Sequence, residues 1–124
     1  MRKILLSIKP EYVKRIMEGS KKYEYRKYLA TKPIDMIIIY STYPESKIIG
    51  EVKVVGTISA SPTALWEKTK QNSGISRKKY REYFQSRKIA YAYVLGEARM
   101  YDITNNLSDY GLKQAPQSFV YLPD

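Results

Sequence analysis

The octet Gly19-Ser20-Lys21-Lys22-Tyr23-Glu24-Tyr25-Arg26 marks the point where one periodicity gives way to another. Ahead of it, residues 10–18 (PEYVKRIME) set Tyr12 or Val13, Ile16 and Met17 on one stripe at helical spacing, with Glu11, Lys14, Arg15 and Glu18 opposite. Pro10 suits the first helical position, where a missing N–H is harmless, and Gly19 stands where a left-handed residue stops a helix. From Lys21 to Lys27 the spacing becomes alternation, with Lys21, Tyr23, Tyr25 and Lys27 on one parity and Lys22, Glu24 and Arg26 on the other. A helix followed at once by a strand is therefore expected, with charged side chains at the junction.

Outward from this junction the chain reads mostly as strands. Residues 2–8 (RKILLSI) form one, residues 36–40 (MIIIY) a buried one, and residues 48–58 (IIGEVKVVGTI) a longer one in which Gly50 and Gly56 mark bends or bulges. Residues 63–71 suit a short helix carrying Leu65 and Trp66. Ser76 caps another over 77–86, with Tyr80, Tyr83 and Phe84 inward and Arg77, Lys78, Arg81 and Gln85 outward. Residues 88–95 (KIAYAYVL) are apolar on both parities and read as a strand covered on both faces, whereas 102–124 show no clear period apart from a closing strand at 118–122. The expected fold class is mixed α+β: a small, partly closed β-barrel with two or three short helices inserted between strands. With no linker rich in Gly, Ser or Pro, residues 1–124 are expected to form a single domain.

Composition removes several kinds of chemistry. The chain has no cysteine and no histidine, which excludes disulfides, thiolate nucleophiles, imidazole acid–base catalysis and the common zinc sites, so neither a metal nor a cofactor is expected. The start, MRKILLSIKPEY, has too short an apolar run for a signal peptide, and no stretch approaches the roughly 20 apolar residues of a membrane-spanning helix. A cytoplasmic protein without membrane association is expected. Its 22 Lys and Arg against 12 Asp and Glu, a net charge of +10, favour an anionic partner such as a nucleic acid.

Within the octet, Lys21, Glu24 and Arg26 bring an amine, a carboxylate and a guanidinium to one place. Glu24 and Arg26 lie two residues apart on one strand face, so the carboxylate can orient the guanidinium. The amine and guanidinium suit a phosphate; the carboxylate suits the exocyclic amine of a base. An ion pair lining the barrel, with Lys21 merely solvated, accounts for the spacing equally well.

The octet also fits G-x-K-x-x-E-x-R at every signature position, and by it the chain resembles the ASCH domain family of the PUA-like superfamily. The opening LLSIKPEYVKRIMEG and the closing PQSF, Pro116 to Phe119, resemble its small stand-alone members. The resemblance implies a PUA-like barrel with a cleft beside the helix–strand junction, and binding of RNA or a modified nucleotide. On that reading Lys21, Tyr23, Glu24 and Arg26 contact the ligand. Gln117 and Ser118 reach it from the closing element, and Lys78 and Arg81 add phosphate contacts from the basic helix.

Two other classes of function stand beside this one, the first implied by the same resemblance and the second suggested by the basic surface. One is a hydrolase in the same cleft with Lys21 and Glu24 as its catalytic groups, either a ribonuclease, for which Tyr23 and Ser118 are further candidate groups beside Lys21, or an amidohydrolase of the N4-acetylcytidine type. In the amidohydrolases the signature Lys works with a Thr nucleophile and a downstream Glu; here Glu24 stands where they carry Thr, and Glu67 is the candidate for the downstream carboxylate. The other is an interaction module in transcriptional regulation, whose basic surface meets an acidic protein. The 13 tyrosines add rings for packing or base stacking, Tyr23 and Tyr25 within the signature among them.

Overall fold

The computed structural model describes residues 1–123. In chain order the elements are β1 (Lys3–Ile8), α1 (Pro10–Glu18), β2 (Tyr23–Arg26), β3 (Met36–Ser41), β4 (Lys47–Ala60), α2 (Pro62–Thr69), α3 (Arg77–Tyr83), β5 (Ala90–Asn105) and β6 (Phe119–Leu122). Single 3-10 turns lie at Lys70–Asn72 and Leu107–Tyr110. All six strands form one sheet in the order β2-β5-β4-β3-β1-β6, in which only β1 and β3 run parallel.

The expected barrel is corrected by this order. β2 and β6 are the two outer strands, and no ladder joins them. The sheet does curl: β4 and β5 shift register at Ile48/Gly50, Val52/Val54 and Val54/Gly56, the neighbourhoods of the two bend-forming glycines. At four residues, β2 is too short to close the circle; one side chain, Arg26, crosses from it to the carbonyl of Ser7 on β1.

Central β3 is buried at every position because both its faces are covered. Ile37 and Ile39 join Ile4, Leu6, Val13 and Ile16 beneath α1, while Met36, Ile38 and Tyr40 pack on the other face with Leu5 and Ile48. The aperiodic tail supplies that second cover through Leu107, Tyr110, Leu112 and Ala115. A third cluster, centred on Leu65, Tyr80, Phe84 and Tyr25, fastens α2 and α3 to β2 and β5. Burying such side chains stabilises the fold by roughly 1.5–3 kcal/mol each before the entropy of ordering them is counted.

Strand β5 departs most from expectation. It is buried over its first half and then continues to Asn105 with its side chains mostly exposed. Backbone pairing, Glu51 with Arg99 and Gly50 with Met100, sustains the strand where its pattern gives no signal. The second basic helix ends at Tyr83 rather than 86, with Ser86 in the left-handed region at φ 64°. Among the described residues, no helix is long and apolar enough to cross a membrane.

Candidate functional site

Helix α1 ends in a Schellman turn. Gly19, at φ 86°, donates from its N–H to the carbonyl of Ile16, and Ser20 donates to that of Arg15. Lys21 follows at once, its own N–H bound to Arg15 O at 3.1 Å, so the turn aims its side chain inward before β2 begins. Lys22 continues the path, donating to Asn72 O and accepting from the Leu95 N–H.

The Lys21 side chain is only 3% exposed. Its Nζ donates to Ser73 O at 2.7 Å and stands 4.8 Å from the centre of the Tyr25 ring and 5.3 Å from that of Tyr12. The loop holding Ser73 fits closely around it. Gly74, at φ 64°, lies so near the Lys21 stem that any Cβ there would overlap it, and the Gly74 carbonyl accepts from Arg15 Nη1 at 2.9 Å. Burial lowers the Lys21 pKa to about 8; Glu24 pulls it up, while Arg15 and Arg26 push it down further.

Glu24, 7% exposed, is held by Arg26 on the same strand. Arg26 donates from Nε at 3.0 Å and from Nη2 at 2.8 Å, both to Oε2, and Nη2 also donates to Ser7 O at 3.1 Å. Glu24 Oε1 and Arg26 Nη1 make no hydrogen bond among the described residues, and neither is a sealed, unpartnered atom. The ion pair is thus formed but opens onto a cleft of about 490 Å³, which Lys21, Glu24, Tyr25 and Arg26 line together. Tyr12, Lys79, Glu82 and Tyr83 face them from α1 and α3.

Tyr25 meets this cleft with its ring and not its hydroxyl. The hydroxyl lies 2.6 Å from Thr69 Oγ1, and Thr69 commits its own proton to Leu65 O, so Tyr25 is the donor. Burial pushes the Tyr25 pKa up to about 12. Lys79, which lines the cleft, lies 3.5 Å from Glu11 of α1.

The remaining residues singled out from sequence lie elsewhere. Tyr23 stacks beside Tyr25, ring centres 6.5 Å apart, within the cluster under α2 and α3, and does not line the cleft. Gln117 and Ser118 are exposed and outside it. Their neighbour Pro116 accepts from Ser7 Oγ at 2.9 Å, one residue's breadth from the carbonyl that Arg26 holds. Arg81 lines a separate groove beyond α3, and Lys78 lines neither space. Glu67 also belongs to that groove, exposed and paired with Lys70 at 2.8 Å.

Sequence reasoning missed Lys79, Glu82, Tyr12 and the loop Ser73-Gly74. The first two share a face with Tyr83 at helical spacing, which was the available signal. For the loop there was none, since Ser73 is 52 residues from Lys21. Among the described residues, no three Asp or Glu side chains come together as a metal site would require.

This six-stranded open sheet with its three helices is a fold seen before. Residues 6–100 match the ASCH domain, and the chain belongs to that family. The crystal structure of ASCH from Zymomonas mobilis superposes with a TM-score of 0.90 at 26% identity, over 98% of this chain and 88% of that one. An ASCH domain-containing ribonuclease of Zymomonas mobilis is 28% identical over 92 residues, 73% of this chain and 62% of that protein. The ATP synthase subunit alpha of Ureaplasma parvum is 28% identical over 120 residues, 96% of this chain but 15% of that protein. The chain thus spans less than two thirds of the length of either curated relative.

Proposed function

We propose that the cleft binds one nucleotide unit of RNA, or a modified nucleotide, in a single cytoplasmic domain. The observation that carries this reading is the pairing of a buried carboxylate with one uncommitted oxygen, Glu24 Oε1, and a buried amine, Lys21 Nζ, in one cleft. Glu24 accepts from an amino or ring N–H group of the base, and Arg26 holds it in place. Tyr12 and Tyr83 offer ring surface for stacking, and Lys9 and Lys79 meet phosphate at the mouth. A net charge of +10 adds affinity without sequence preference.

The test is binding of a short fluorescent single-stranded RNA measured by anisotropy. Glu24→Gln and Lys21→Met should each weaken it about tenfold, the scale of one good contact to a base or phosphate. Unchanged affinity in both variants would refute the reading.

A ribonuclease in the same cleft is the second reading. The named activity of the Zymomonas relative supports it, as does a Lys21 pKa of about 8, which leaves a fraction of the amine neutral at physiological pH. Lys21 then takes the proton of the ribose 2′-hydroxyl, whose oxygen attacks the adjacent phosphorus and displaces the 5′-oxygen, which leaves with a proton from water, while Glu24 positions the base. Cleavage of single-stranded RNA by Lys21→Ala and Glu24→Gln at the wild-type rate would rule it out. The amidohydrolase reading has less support, because Glu67 stands outside the cleft and, among the described residues, no serine or threonine lines it.

A further inference from the structure

Helix α3 is a wall with a concavity on each side. Its Lys79, Glu82 and Tyr83 line the cleft, whereas Arg77, Tyr80 and Arg81 line a second groove of about 420 Å³ closed from the other side by Pro62, Trp66 and Glu67 of α2. We propose that this second groove is a subsite for the adjacent nucleotide, so that an RNA strand crosses α3 with one nucleotide in the cleft and its neighbour beside Trp66. This rests on the cleft being an RNA site.

Three observations support the subsite. Trp66 is half-buried, fixed by Tyr80 at 4.7 Å between ring centres, and Tyr80 is itself anchored by a 2.6 Å hydrogen bond to Pro62 O. A ring held this way loses little freedom when a base stacks on it. Arg77 and Arg81, one helical turn apart, make no hydrogen bond or ion pair among the described residues, whereas Arg87 in the same groove is committed to Tyr28 and the Lys27 carbonyl. Glu67, the carboxylate lining the groove among the described residues, is hydrogen-bonded to Lys70 at 2.8 Å; it feels Arg77 as a nearby charge but makes no ion pair with either arginine.

The placement of these cations is also unfavourable for the helix by itself. The first turn of α3 carries Arg77, Lys78 and Lys79 and no acid; Lys79 is met by Glu11 of α1 at 3.5 Å, whereas Arg77 and Arg81 repel at i, i+4 with no ion-pair partner among the described residues. A local arrangement that opposes its own helix is expected where a partner supplies the compensating charge. An anionic strand lying across the helix, which is about 10–12 Å wide with its side chains, supplies that charge to both arginines.

Because Trp66 is the only tryptophan, its fluorescence reports the groove directly. The probes are uridine monophosphate, an oligouridylate of about six nucleotides and an oligoglutamate of matching charge. The oligouridylate should quench Trp66, and the variant R77Q/R81Q should bind it about tenfold more weakly. Its slope of log affinity on log salt should be shallower by about 1.4, two phosphate contacts on a single strand. The variant should bind uridine monophosphate like the wild type, and Lys78→Gln, on neither lining, should leave the quenching intact. Both arginines are exposed, so these changes leave the core untouched.

If the oligouridylate depends on Lys21 but leaves Trp66 silent and R77Q/R81Q unaffected, the subsite is wrong and the cleft stands. If oligoglutamate quenches Trp66 and oligouridylate does not, the groove takes an acidic peptide and the proposal falls. If the wild type binds no RNA, the cleft and the subsite fall together.

Discussion

Arg26 Nη2 donates at 3.1 Å to the main-chain carbonyl of Ser7, joining the outer strand β2 to β1, the fifth strand in the sheet order. The same nitrogen donates to Glu24 Oε2 at 2.8 Å. One guanidinium therefore spans the open seam of the sheet and fixes the carboxylate of the cleft. The seam is where the cleft lies, and a closed barrel would have filled it with backbone pairing.

Removing that guanidinium should destabilise the fold through the charge it leaves behind. Arg26→Gln strands a largely buried carboxylate, at a cost of about 3 kcal/mol, the low end for breaking such a pair because both side chains retain some exposure. Adding Glu24→Gln should recover about 1–2 kcal/mol. Urea-unfolding midpoints of the four proteins measure the coupling, and simple additivity of the two changes would contradict it.

Stability should rise with pH above about 8 because of Lys21. Its pKa is lowered in the folded protein, so the folded state holds the proton less tightly than the unfolded state, and folding is favoured as pH climbs from about 8 towards 10.5. Each unit within that window contributes up to about 1.4 kcal/mol. Tyrosines act in the opposite sense above pH 10. Tyr25 is pushed up to about 12 and Tyr80 further, so the unfolded chain ionises first and stability falls. Denaturation at about pH 7.5 and 9.5 should show the rise in wild type, and Lys21→Met should lack it.

Gly74→Ala should be more damaging than Gly111→Ala. Both positions have positive φ, 64° and 74°, so both incur the left-handed penalty of about 1–2 kcal/mol. A methyl at Gly111 meets open space, whereas at Gly74 it overlaps Cβ, Cγ and Cδ of Lys21. The additional loss, about 1–3 kcal/mol for overpacking, is read from the difference between two thermal unfolding curves. Equal losses would mean that the loop does not grip Lys21.

Tyr25→Phe should separate stability from binding. The hydroxyl is buried against Thr69 and away from the ligand, so its removal should cost about 1 kcal/mol of folding free energy. RNA affinity should change little, since the ring that lines the cleft is kept. A tenfold loss of affinity without loss of stability would place the hydroxyl in contact with RNA.

The parts of this architecture that could be read from sequence are those governed by neighbours along the chain. The bounds of α1 follow from Pro10, the stripe through Val13 and Ile16, and the left-handed Gly19. β3 shows its double burial as an unbroken run, Met36 to Tyr40. β5 beyond Leu95 was illegible, because its outer half is held by β4 and not by an apolar face of its own. Closure was overestimated for a related reason: alternation identifies strands, and says nothing about whether the first and last of them meet.

The candidate site divides along the same line. By itself the sequence determined that imidazole and thiol chemistry are absent, that the chain is strongly basic, and that Lys21, Glu24 and Arg26 stand together where a helix hands over to a strand. Those properties are carried by residue identity and near spacing. Only the tertiary structure decided that Lys21 is buried, that Ser73 and Gly74 enclose it, and that α3 sets Lys79 beside one concavity and Arg77 and Arg81 beside another. Desolvation depends on which distant segments dock over a group, and a charge changes its pKa when water is taken from it, wherever in the chain the covering residues lie.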